Sequence, residues 1–239
     1  LRGYLQSLGI SEVGIHLDAS YPRQATGIMI GSPQRVQRTY FHAGPSDSVD
    51  HPRLAALPHV QTAAWVLVAP IAPATALQHL RDAEVLGIRT MFDPGQCLSR
   101  FTSDEIAEAL SLTTRLILNA EEWALLQDGF GPAARELAST LEAVIVTDGP
   151  GPVRVTAADS HFDVRPPVAE AVDETGCGDA FRAAYVSGLI EGLDERAAIE
   201  GGCCLGAQCA ETVGAHHFVT DPATLDASRL KAYPQAHAS

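Results

Sequence analysis

At 239 residues, 46 % apolar and 19 % charged, the chain can bury a sizeable core as one large domain or two small ones. Its formal net charge of −13 excludes nucleic acid and anionic membrane as principal partners, and no apolar run reaches membrane length. Only Lys231 among the 16 basic residues is a lysine, which argues against a Walker-type phosphate loop and against Schiff-base chemistry.

Leu1 to Leu8 reads as the end of a helix. Thr26–Ile30 and Arg38–Phe41 read as a strand pair joined around Gly31-Ser32-Pro33, a small β-flap, and the Pro-, Asp- and Ser-rich stretch from His42 to Pro58 reads as loop. From there strand and helix alternate. Trp65–Ala69, Arg89–Phe92, Leu116–Leu118 and Ala143–Val146 are short apolar runs expected to be buried strands. Helical spacing covers Ala74–Val85 and Glu121–Gln127, and Thr102-Ser-Asp-Glu105 is a capped helix start between them. Val153–Ala157 and His161–Val164 should form a hairpin, followed by helices over Asp179–Glu191 and Asp194–Ala210. Strands separated by helices imply a mostly parallel sheet covered on both faces.

Cys97, Cys177, Cys203, Cys204 and Cys209 are odd in number and fit no zinc or redox spacing, so the chain reads as reduced and cytoplasmic. The last three lie in an apolar helical stretch, as small core residues do. His216-His217 lacks the context of a metal site.

The most informative segment is Asp173-Glu-Thr-Gly-Cys-Gly-Asp-Ala-Phe181, a glycine-rich turn running into a helix. Gly176 and Gly178 let the backbone approach a ligand, and the first helical amides have no internal partners, so an anion suits Gly176, Cys177 and Gly178. A carboxylate there, Asp179, would repel a resting anion but suits a base that takes a hydroxyl proton during phosphoryl transfer. The same residues also suit a plain helix start, with Asp and Thr as caps. Asp93, Asn119 and Thr147 each follow a strand-like run, where open parallel sheets bind ligands. Any one alone is an ordinary loop residue; together with the turn before Asp179 they point to one crevice.

These residues resemble the ribokinase (PfkB-type) carbohydrate and nucleoside kinases, and among them the bacterial adenosine kinases. Asp173–Arg182 is similar to the family's D-x-T-G-x-G-D-A-F signature, Asn119-Ala-Glu-Glu122 to its N-x-x-E motif, Thr147-Asp-Gly149 to its nucleotide-binding turn, and Glu211-Thr-Val-Gly214 to a stretch of the adenosine kinases. Phe92-Asp-Pro-Gly-Gln96 with Arg100, and Tyr40-Phe-His42 with Gly44, resemble the same subgroup.

The resemblance implies a ribokinase-like α/β fold: residues 1–20 as helix end and linker, 21–45 as a partial β-flap or lid, and 46–239 as the body holding the ATP site and the catalytic Asp. It implies Asp179 as base, with the Gly176, Cys177 and Gly178 amides as anion hole. Asn119, Thr147, Gly149 and Gly214 would line the ATP site. Asn119 and Glu122 would hold Mg²⁺ through water, and Phe41, Gln96 and Arg100 would contact the substrate. ATP and Mg²⁺ are the implied cofactors, and a homodimer through a complete flap is the implied assembly. The family's opening strand, with its sugar-binding Asp, and its Gly-Gly segment are not found, so the N-terminal part of the fold is expected to be missing. Further departures are Glu174, Asp148, Pro152 and His216. Three functions stay open: an adenosine kinase acting on the 5′-hydroxyl, a sugar kinase of the same fold, and a truncated, non-catalytic remnant.

Overall fold

The computed structural model describes residues 2–7, 9, 15, 19–21, 26–30, 38–42, 44–47, 52–58, 60–157 and 160–215. The expected turn at Gly31–Pro33, His216-His217 and Lys231 lie outside the described residues. The chain divides into two compact units, 1–114 with 128–137, and 115–127 with 138–239.

In the first unit, after helix α1 (Arg2–Ser7), strands β1 (Thr26–Ile30) and β2 (Arg38–His42) pair antiparallel, Thr26 opposite His42 and Ile30 opposite Arg38. Strands β3 (Trp65–Val68) and β4 (Arg89–Phe92) are parallel, with Trp65 opposite Arg89. A parallel pair needs a crossover, and helix α2 (Pro73–Leu86) supplies it. Pro lies in its first turn, where its missing N–H costs nothing, and left-handed Gly87 stops it by donating to Ala83 and Glu84. Its Ala76, Leu77, Leu80 and Ala83 are buried. Helix α3 (Ser103–Ser111) opens on the capping box expected at Thr102: each of Thr102 and Glu105 accepts from the other's backbone N–H. Between β4 and α3 the chain makes a 3₁₀ helix, Gly95–Arg100, that periodicity did not indicate.

Asp82 of α2 is buried at 4 % exposure. It accepts from Arg53 Nε at 2.8 Å and from the Leu54 amide at 2.9 Å, which ties the segment before β3 to the helix. The Arg53 guanidinium, helped by the Leu54 amide and opposed by burial, holds this carboxyl below its usual range. A folded value below the unfolded one of roughly 3.9 means that the stabilisation is complete above that pH and lost as pH falls through the folded value. Asp82→Asn should therefore cost about 1–3 kcal/mol near neutral pH and flatten the acid limb of a pH series of urea melts. A mutant whose melt follows the wild type from pH 7 to pH 3 would remove this role.

In the second unit, β5 (Arg115–Asn119) and β6 (Ala143–Thr147) are parallel, while β7 (Val153–Ala157) runs antiparallel to β6 and β8 (Ser160–Val164) antiparallel to β7. The expected hairpin is present, and this part of the sheet is mixed. Helix α4 (Ala120–Gly129) is longer than expected, and α5 (Gly131–Ser139), most of which belongs to the first unit, was not foreseen. The buried positions of α5 are Ala134 and Ala138. Helices α6 (Cys177–Ile190) and α7 (Glu195–Ala210) lie close because small residues face large ones: a Cβ on Gly202 would meet the Phe181 ring at 2.7 Å. Asp194 caps α7 by accepting from the Ala197 amide at 2.8 Å. Tyr185 of α6, fully buried, donates to Glu195 of α7 and accepts from Arg115 of β5 at 2.9 Å. Arg115 also pairs with Glu195. One polar cluster thus fixes the helix that starts at the signature onto its strand. Cys203, Cys204 and Cys209 are buried free thiols of α7.

Candidate active site

The signature loop is tied down at both ends. Val172 and Asp173 donate their amides to the Ala210 carbonyl, at 2.7 and 3.1 Å, where α7 ends. The Asp173 carboxylate accepts from the Thr175 amide at 2.9 Å and from the Gly214 amide at 2.8 Å. The Thr175 side chain and amide, with the Gly214 amide, hold Asp173 below the usual carboxylate range. One aspartate thereby joins the signature to the Glu211–Gly214 stretch, two motifs that are 41 residues apart at this bond.

Helix α6 starts at Cys177, two residues before the expected position, and its N-cap is Gly176 with φ 89°. No side chain caps it, so the reading of Asp or Thr as caps is corrected. The reason is geometric. A left-handed residue is needed, and Ala215 lies where a Cβ would project, at 2.5 Å from the added atom. Only glycine satisfies both conditions. Gly178 differs: a Cβ there would meet nothing closer than Arg182 Nη1 at 3.8 Å. The chain's own packing does not demand glycine at 178.

Cys177, Gly178 and Asp179 are the first three helical residues, whose amides lack partners within the helix. The Cys177 amide also reaches back to the Glu174 carbonyl at 3.3 Å, a long bond. Helix N-termini usually lower a thiol pKa. Here burial, reinforced by Cys209, pushes the Cys177 thiol up to about 12, so it stays neutral and adds no negative charge among these amides. The Asp179 side chain is 75 % exposed and bonded by the guanidinium of Arg182, itself only 12 % exposed.

The β5–β6 register brings Asn119 and Thr147 together as partners at the ends of adjacent parallel strands. Thr147 Oγ1 donates to the Leu118 carbonyl at 3.4 Å. Gly149, with φ 53°, lies in the turn closed by the Gly151 amide on the Asp148 carbonyl at 2.7 Å. Asn119 and Glu122 form a reciprocal capping box for α4: each donates its amide to the other's side-chain oxygen at 2.8 Å. This box uses Glu122 Oε2 and leaves Oε1 outside it. Burial raises the Glu122 pKa, so a cation nearby would be favourable. A carboxylate oxygen beside an amide oxygen fits Mg²⁺, which keeps much of its water shell and needs few direct contacts.

Gln96 and Arg100 lie exposed on the 3₁₀ helix of the first unit, after the buried Asp93. Phe41 lies on β2, opposite Gly27. Sequence reading offered Asp173 only as a helix cap and gave no role to Ala215 or Arg182. The spacing of three from Asp179 was the only available sign of Arg182, whereas the Asp173 and Ala215 contacts are nonlocal.

A parallel strand pair whose ends bear Asn119 and Thr147, with a helix that starts at Cys177 behind Gly176, gives this chain the build of the ribokinase-like α/β proteins. A nucleoside kinase of Burkholderia thailandensis solved with inosine is similar over 97 % of this chain and 77 % of that one, with TM-score 0.79 at 24 % identity. The chain belongs to the pfkB family of carbohydrate kinases, whose family model matches residues 1–222. Among curated relatives it is 30 % identical over 126 residues to an uncharacterized sugar kinase of Archaeoglobus fulgidus, covering 52 % of this chain and 50 % of the relative. It is 28 % identical over 147 residues to a nucleoside kinase of Thermoplasma acidophilum, covering 62 % and 46 %. The matches thus span about half the length of these relatives. Among the described residues no helix is long and apolar enough to cross a membrane.

Proposed function

We propose that the protein is an ATP-dependent nucleoside kinase that transfers the γ-phosphoryl group to the 5′-hydroxyl of adenosine. The observation that carries this reading is the start of α6. Gly176 is demanded by the fold, but Gly178 is not, and it stands at the first turn of α6, whose opening amides have no partner within the helix, beside an exposed carboxylate. A position kept clear at an anion-attracting helix end suits a phosphoryl group in passage.

Asp179 accepts the proton of the acceptor hydroxyl. The hydroxyl oxygen bonds to the γ-phosphorus as its bond to the bridging oxygen breaks, and ADP leaves. The amides of Gly176, Cys177 and Gly178 stabilise the charge on the transferring group, with the Cys177 amide giving up its long bond to Glu174. Thr147, Gly149, Asn119 and Gly214 line the ATP site, Gly214 held in place by Asp173. Glu122 and Asn119 would hold Mg²⁺ through water, and the ion would supply positive charge against the phosphates. Gln96, Arg100 and Phe41 contact the nucleoside. A second reading, phosphorylation of a free sugar, is supported by the sugar kinase of Archaeoglobus fulgidus.

The test is transfer of labelled γ-phosphate from MgATP by the intact protein to adenosine, inosine, ribose and fructose in parallel. Label in AMP at the highest kcat/KM is the expected result. Preference for a sugar would install the second reading, and no transfer to any acceptor by folded protein would overturn both.

A further inference from the structure

We propose that Arg182 is a positioning residue that fixes the carboxylate of Asp179 for proton transfer. This rests on the reading of Asp179 as the base. The pair is unlike a solvated helix ion pair, in which both partners face water and contribute little. Here the cation is sunk to 12 % exposure while the carboxylate remains 75 % exposed. The protein therefore anchors the guanidinium and presents the acid outward.

The location is informative as well. The positive end of a helix dipole disfavours a cation, yet Arg182 reaches back one turn toward the N-terminus of α6. Such a placement is stable when anions meet it there. Asp179 is one of them. The other nitrogen, Nη1, flanks Gly178, 3.8 Å from the place of an added Cβ, so the same planar group lies beside the amides that would face the phosphoryl group. Arg182 Nη2 holds Asp179 Oδ1 and so sets the plane of the carboxylate. A lysine, with one rotatable ammonium, could keep the charge but not this plane.

Steady-state kinetics of Arg182→Met and Arg182→Lys in the intact protein test the assignment, with ATP and with the preferred acceptor. Arg182→Met should lower kcat about 10- to 100-fold, because small misplacements of a reacting group cost that much, and leave both KM values within about threefold. Arg182→Lys should recover part of the loss. Added to Asp179→Asn, Arg182→Met should change the residual rate less than about twofold, since its partner's function is gone. A folded Arg182→Met enzyme with wild-type kcat, or a full further loss in the Asp179→Asn background, overturns the proposal. If Arg182→Met does not fold, Arg182→Lys decides it: wild-type kcat overturns it, and reduced kcat with unchanged KM supports it. Wild-type turnover in Asp179→Asn alone would instead overturn the base assignment, and this proposal with it.

Discussion

Asp179→Asn should lower phosphoryl transfer by about 10²- to 10⁴-fold, the usual contribution of a general base, while ATP affinity changes little. The substitution keeps the shape of the side chain and every backbone amide of the helix start. It removes only the capacity to take a proton. The carboxylate is 75 % exposed, so little packing depends on it, and Arg182 of its own helix bonds it. The lost attraction to the helix dipole and to Arg182 should cost about 1 kcal/mol or less. Three measurements check this: the rate of label transfer, ATP affinity by calorimetry, and the thermal midpoint. An unchanged rate would remove Asp179 from the chemistry. A collapsed midpoint or lost ATP binding would give it a structural role instead.

Gly176→Ala should destabilise the protein by about 2–5 kcal/mol and greatly reduce transfer, whereas Gly178→Ala should leave the fold intact. At 176 two costs add. An L-residue with φ 89° costs roughly 1–2 kcal/mol. A methyl 2.5 Å from Ala215 Cβ forces the loop apart, at about 1–3 kcal/mol for overpacking. The thermal midpoint should fall by at least about 5 °C for a protein of this size. Because Ala215 follows Gly214, whose amide is held by Asp173, the strain reaches the Glu211–Gly214 stretch as well. At 178 the backbone is helical and the nearest atom is Arg182 Nη1 at 3.8 Å. Alanine there should be neutral or stabilising by up to about 1 kcal/mol, since it is the better helix former. Its effect on transfer then reports whether a phosphoryl group passes at that position. Equal midpoints for wild type and Gly176→Ala would contradict the packing argument.

Much of the fold was legible because its signals are local. Strand β4 came out at the expected residues, and the capping box at Thr102 follows from residues three apart. The Asn119–Glu122 pair is another local signal, but it was read for ATP and metal binding and not as the capping box that its spacing also spells. The 3₁₀ helix Gly95–Arg100 was missed because periodicity has nothing to grip there.

The candidate site divides in the same way. By itself the sequence determined the membership of the chain in its family and the order of its motifs, since glycines, carboxylates and turn residues at fixed offsets specify local backbone. It also specified a glycine-rich turn that runs into a helix. Only the tertiary structure decided why Gly176 has no alternative, which depends on Ala215 from beyond α7. It alone placed Asn119 beside Thr147, through strand register, and bound Gly214 to Asp173 across 41 residues. It alone buried Arg182 while leaving Asp179 exposed. Burial and register are properties of distant segments brought into contact, and spacing along a chain carries no record of which segments will meet.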